Sequence, residues 1–257
     1  MSSATLDRER LMQVASALAQ AASAPTKARR RLPVVRTADA AGLVAMMHEQ
    51  LDEAIEERGY AAEQAGIVIA CGRGCNACCH LPVVIGEPEA AALALWLQQP
   101  EQDAVRERFL AKYPAWRATL GDAIEAVEAA TDKDARVVAC ATYYRRRALC
   151  PFNHEGDCTV YPVRPALCRT AHAVGSRVKC EDEGDGVDTL PHPAVDGTYR
   201  SQEALRLLLH DALGASRPPQ LLAKAVLRRL TAAQAFPNQP CACGSGQKQK
   251  RCCGVGG

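Results

Sequence analysis

Cys71-Gly72-Arg73-Gly74-Cys75-Asn76-Ala77-Cys78-Cys79 puts four thiols within nine residues. Gly72 and Gly74 free the backbone to wrap around something small. Spacing of this kind lets a short loop aim several thiolates at one metal ion or one iron–sulfur cluster. A second group of cysteines follows in Cys150-Pro151-Phe152-Asn153-His154-Glu155-Gly156-Asp157-Cys158. It continues through Tyr161-Pro162-Val163-Arg164-Pro165-Ala166-Leu167-Cys168-Arg169, with Cys180 beyond. The chain between the two groups reads as helix. The expected fold is therefore mostly α: a helical domain with an irregular cysteine-rich metal-binding region, whose helices return residue 150 to the side of residue 79.

Composition agrees with that class. The chain has 257 residues, enough for one full domain plus attachments. Hydrophobic residues make up 48% and aromatics only 4%, so the core must be built of Ala, Leu and Val, as in packed helices. A net charge of +2 offers no global attraction to nucleic acid or to a membrane. The opening residues Met1 to Arg10 carry Asp7 and Glu9 and read as no signal peptide. No apolar run approaches the ~18–20 residues that span a bilayer. A cytoplasmic location is expected. There, thirteen cysteines read as metal ligands kept reduced, and their odd number argues against complete pairing as disulfides.

Periodicity divides the chain into three parts, 1–37, 38–235 and 236–257. The first holds a helix over 5–22, with Leu11, Val14 and Leu18 on one face. A linker over 23–36 follows, made basic by Lys27, Arg29, Arg30, Arg31 and Arg36. Any nucleic-acid contact is expected only there, over 27–36, and a solvated tail is the simpler reading. The second part starts with a helix over 38–59 (Leu43, Met46, Met47, Leu51, Ile55) that Gly59 should end. Met46 and Met47 fit core filling better than metal ligation. Ile67-Val68-Ile69 reads as a short strand. Helices are expected over 87–99, 101–112, 114–131, 134–148, 200–213 and 218–235, the third of them begun by Pro114. Residues 150–198 read as irregular, too poor in apolar side chains to fold without bound metal.

Cys71, Cys75, Cys78, Cys79, Cys150, Cys158, Cys168 and Cys180 make eight thiols. They suffice for two four-coordinate sites, or for one cluster with further thiols around it. Cys140, on an Ala- and Val-rich helical stretch, reads as a core cysteine. Arg164 and Arg169 flank the returning cysteines. They serve either to offset thiolate charge or to hydrogen-bond an irregular loop. His80, His154 and His172 are ligands by type, but the thiols already suffice.

The paired motifs resemble the YkgJ-type CxxCxxCC proteins, a bacterial group described as zinc- or iron-chelating, over about residues 71–181. The second motif, a Cys-Pro-Phe start followed by Cys-x-x-Tyr-Pro-x-Arg-Pro-x-x-Cys-Arg, is the more specific. One departure is the three residues between Cys71 and Cys75, where the family name has two. The resemblance implies zinc or iron held by these cysteines, and the Cys-x-x-x-Cys-x-x-Cys spacing leans slightly towards an iron–sulfur cluster, 4Fe–4S in type.

The tail Pro240-Cys241-Ala242-Cys243-Gly244-Ser245, ending in Cys252-Cys253-Gly254, resembles the SEC-C motif named for the C-terminus of the SecA preprotein translocase. That resemblance, over about residues 240–254, implies one zinc on Cys241, Cys243, Cys252 and Cys253 and an interaction module for another protein or the ribosome. A segment this short has no core, so zinc would supply its fold.

The expected function is that of a metal-binding protein with a zinc-binding interaction tail. Two alternatives remain. One is a cluster-dependent protein-modifying enzyme resembling flagellin lysine methylase, to which some relatives of the first family are similar. The other is a structural zinc adaptor for the ribosome or a secretion chaperone. The balance is against an enzyme. Residues 67–74 look superficially like the strand and glycine turn of an S-adenosylmethionine fold, but the chain after Cys79 turns helical. The radical Cys-x-x-x-Cys-x-x-Cys spacing occurs without the succession of βα units such enzymes need. Glu181 to Asp188 reads as a solvated acidic loop.

Overall fold

In the computed structural model the described residues are 3–23, 32–72, 74–176, 178–181, 193–213 and 218–232. The chain runs α1 (Ser3–Ser23), α2 (Thr37–Gln64), β1 (Val84–Ile85), α3 (Glu87–Leu97), α4 (Asp103–Leu120), α5 (Ala123–Ala129) and α6 (Lys133–Arg145). It continues with β2 (Asn153–His154), β3 (Asp157–Cys158), α7 (Ala166–Thr170), α8 (Val178–Glu181), α9 (Pro193–Ser201), α10 (Glu203–Ala212), β4 (Gln220–Leu221) and α11 (Leu222–Ala232). The protein is mostly helical, as the Ala- and Leu-rich composition requires. No helix among the described residues is long and apolar enough to cross a membrane.

Two apolar clusters hold the helices. The larger joins α3, α4, α5, α6 and α11 and includes Leu93, Phe109, Trp116, Ile124, Tyr143 and Val226. In α4, Phe109, Tyr113, Trp116 and Leu120 are buried at steps of four, three and four, which puts them on one face. The smaller cluster packs Leu11 and Leu18 of α1 against Leu43, Val44 and Met47 of α2 and Leu209 of α10. The two short sheets are antiparallel ties: β1 meets β4 with Val84 opposite Leu221, and β2 meets β3 with Asn153 opposite Cys158. Carboxylates shielded from solvent in whole or part reinforce the packing. Glu87 at the start of α3 pairs with both Arg228 and Arg229 of α11. Glu128 takes Lys224 Nζ at 2.6 Å and the Leu221 N–H at 2.9 Å.

Asp39, in the first turn of α2, accepts from Arg36 at 2.9 Å and from Arg10 of α1 at 3.1 Å. These guanidinium groups hold its carboxyl below the ordinary value against the opposing effect of burial. A folded-state pKa below the unfolded one stabilises the protein above the unfolded value, and that contribution is lost as pH falls. Asp39→Asn should therefore cost about 1 kcal/mol at neutral pH, because both arginines are largely exposed. It should also flatten the acid limb of a stability-against-pH curve measured by urea unfolding.

Four expectations need correction. Gly59 does not end its helix. α2 runs to Gln64 because Arg58 and Ala62 continue the buried stripe, and the stop comes at Gly66, whose φ is +67. Pro114 does not begin a helix but lies inside α4. It sits on the exposed side, where the lost N–H bond costs least, while Tyr113 and Trp116 anchor the buried side. The break falls instead at Gly121, with φ +52. Ile67-Val68-Ile69 forms only a single bridge, Ile69 to Val174. Ile67 and Val68 are exposed, so no sheet face buries them. Finally, residues 150–198 contain a hairpin and three helices. Phe152, Val160 and Ala166 are buried, so apolar packing does reach into this segment. Within the basic linker, Arg36 is committed to Asp39, and residues 24–31 lie outside the described residues.

Candidate metal centre

Two loops are laced together by their backbones. The segment leaving α2 runs against the segment after α7, with Ala70 N–H donating to Ala173 O at 2.9 Å and Gly175 N–H to Val68 O at 2.9 Å. Gly74 turns the chain with φ +80. A short 3-10 turn over Ala77–His80 then carries Cys78 and Cys79. Cys150 N–H donates to Cys79 O at 2.9 Å, which joins residue 150 directly to residue 79. The hairpin of β2 and β3 closes through Glu155 (φ 52) and Gly156 (φ +90), the left-handed pair of a tight two-residue turn. A Cβ on Gly156 would meet Gly74 O at 3.5 Å, so the hairpin tip packs against the first loop.

These contacts enclose a cavity of about 660 Å³. Seven cysteines line it: Cys71, Cys75, Cys78, Cys79, Cys150, Cys158 and Cys168. No disulfide joins any of the described cysteines. Among the described residues, no three His, Cys, Asp or Glu side chains are grouped so as to hold a single metal ion. Cys180 is not on the cavity wall. It lies on α8, where its carbonyl accepts from Tyr144 Oη at 3.1 Å. Cys140, on α6, is half-buried away from the cavity. His172 lines the cavity, whereas His80 and His154 do not. Cys241, Cys243, Cys252 and Cys253 lie outside the described residues, as does the acidic loop from residue 182.

Electrostatics divides the thiols. Burial pushes Cys150 up to about 12 and raises Cys168 and Cys158, with neighbouring thiols adding to the effect. Cys71 is raised by burial too, although the Ala173 N–H at 3.2 Å from its sulfur favours the thiolate. Cys78 is pulled down to about 6, first by a hydrogen bond from Cys79 and further by the nearby Arg164. Cys79, the donor of that bond, keeps its proton and is pushed up. Thiolates this close repel one another, so ionising the set together calls for positive charge inside the cavity.

The arginines differ in task. Arg169, 4% exposed, donates to Pro162 O at 2.5 Å, to Arg164 O at 2.9 Å and to Asp52 at 2.5 Å, and so clamps the loop to α2. Arg164 instead lines the cavity. Arg58 was not legible in the sequence as a site residue. It is 2% exposed, lies near Cys71, donates to Thr170 O at 3.1 Å and contacts His172 Nδ1. Burial, and then this cation, hold His172 down at about 4, so its ring is neutral. The available signal was an arginine on the apolar stripe of α2, four residues from both Ala54 and Ala62.

Comparison of the chain with protein-family models, with curated proteins and with solved structures finds no match.

Proposed function

We propose that the protein is a cysteine-ligated metal-binding protein. Its main centre is drawn from Cys71, Cys75, Cys78, Cys79, Cys150, Cys158 and Cys168, and its tail binds zinc. One observation carries the reading: two loops far apart in sequence are laced together so that seven reduced thiols share one cavity. Thiolates are the donors that zinc and iron–sulfur clusters take. The two guanidinium groups beside them, Arg58 and Arg164, supply countercharge. An iron–sulfur cluster is favoured over a single zinc. Seven thiols line the cavity, more than the four that a tetrahedral zinc takes, and the Cys71-x-x-x-Cys75-x-x-Cys78 spacing suits a cluster.

The test is elemental and sulfide analysis of the full chain purified without oxygen. The expected protein is brown, with iron and acid-labile sulfide in equal amounts. Cys150→Ser and Cys168→Ser should lose both, and Cys140→Ser should keep both. Cys252→Ser should lose one zinc and leave the iron unchanged. A protein that folds fully with neither iron nor zinc sinks the proposal, while zinc alone without sulfide overturns the preference for a cluster.

A further inference from the structure

The cavity is larger than a single metal ion needs. A zinc ion with bonds of about 2.3 Å occupies a small part of it. Its volume of about 660 Å³ falls within the roughly 300–1,000 Å³ of small-molecule sites. Its lining is also of two kinds. Beside the thiols stand Leu81, Val83, Trp116, Phe152, Leu221 and Leu222, an aromatic and aliphatic surface that no metal requires.

One cation on the wall has no carboxylate partner among the described residues. Arg164 lies 3.8 Å from the centre of the Tyr161 ring, stacked on a residue that is itself half exposed and also lines the cavity. Its Nε is buried without a hydrogen-bond partner. No carboxylate among the described residues pairs with it. The contrast with Arg169 is direct, since that side chain is tied on all sides five residues later. A guanidinium held flat on an aromatic ring, with its N–H edge unpaired, is a receptor for a carboxylate, sulfonate or phosphate.

We propose that the cavity takes, beside the metal centre, a small organic anion: Arg164 holds the anionic head, and the surface of Trp116, Phe152 and Leu222 takes its aromatic or aliphatic body. The inference rests on the metal reading only in assigning the thiols to a different occupant of the same space. Arg164 can lend charge to both.

The probe is anilinonaphthalene sulfonate, an anion with an aromatic body whose fluorescence rises in apolar surroundings. It is titrated into the full-length, metal-containing protein while metal content is measured on the same samples. Saturable binding at one site per chain is expected, with displacement by phenylpropionate or phenylphosphate showing which head group the site prefers. Arg164→Gln should weaken binding about tenfold or more when compared with wild type at equal metal content per chain, as loss of a charged hydrogen bond requires. Arg164→Lys should recover part of it. Ala171→Phe, at an exposed position on the cavity lining, should block binding without touching a thiol. Absence of saturable binding, or wild-type affinity in both Arg164→Gln and Ala171→Phe, overturns the proposal. So does probe binding that falls in Arg164→Gln only in proportion to the metal lost, because the arginine would then serve the centre alone. A wild-type protein that binds the probe as described but lacks metal would instead count against the metal reading.

Discussion

Phe152→Ala is expected to destabilise the protein by about 3–5 kcal/mol, the range for removing a buried phenylalanine and leaving its cavity behind. Phe152 is 1% exposed and stacks on Phe109 with ring centres 4.3 Å apart and planes within 4°. The stacking adds about 0.5–1.5 kcal/mol beyond burial, already within the measured range for such truncations. Its carbonyl also accepts from Thr159 N at 2.9 Å and from Thr159 Oγ1 at 2.7 Å, so the residue ties the hairpin to the large apolar cluster. Cys150 and Cys158 sit on either side of it. The truncation should therefore lower metal retention as well as stability. Urea unfolding should show the midpoint falling with little change in slope. A loss below about 1 kcal/mol would mean that the loop is held by bound metal rather than by this ring.

Glu87→Ala should cost about 3 kcal/mol. The carboxylate is 6% exposed and pairs with Arg228 and Arg229, so its removal leaves two partly buried cations facing each other without a counterion. Glu87 also opens α3, where negative charge suits the helix N-terminus. The damage should not stay local. The first residues of α11, Leu222 and Ala223, line the thiol cavity, and α11 is held to α3 by this triad. Accessibility of the cysteines to alkylation should thus rise along with the drop in thermal midpoint. Arg228→Met in the Glu87→Ala background should restore part of the stability by removing one stranded charge. No recovery in the double variant would show that the triad's cations are solvated and that the loss came from packing.

Helix positions were legible because local rules govern them. The apolar steps of α2 place a helix from residues within a few positions, and the helices expected over 87–99 and 134–148 overlie α3 and α6. Gly59 and Pro114 misled for the same reason. Local preference marks both as breaks, at a cost of about 1 kcal/mol for glycine and about 3 for proline. Burial of Ala62 in one helix and of Trp116 in the other outweighs that cost, and burial is not a local property. The hairpin between Cys150 and Cys158 was missed because its turn places Glu155, rather than the usual Asn or Asp, at positive φ.

The two cysteine motifs, as lists of residues, belong to the sequence alone. Their spacing is what makes these thiols candidate donors in the proposed centre. What required the folded chain is which of those thiols share a space. Cys180 was equal in kind to the others, yet the packing of α8 takes it off the cavity wall. Arg169 and Arg164, five positions apart and alike in sequence, were separated into clamp and cavity lining by the position of Asp52 on α2. Arg58 entered the site from a helix that carries no cysteine. Local sequence sets the conformation of each segment through short-range hydrogen bonds and side-chain preference. The meeting of residues some hundred positions apart depends on how buried faces of different helices fit one another, and only the assembled core carries that information.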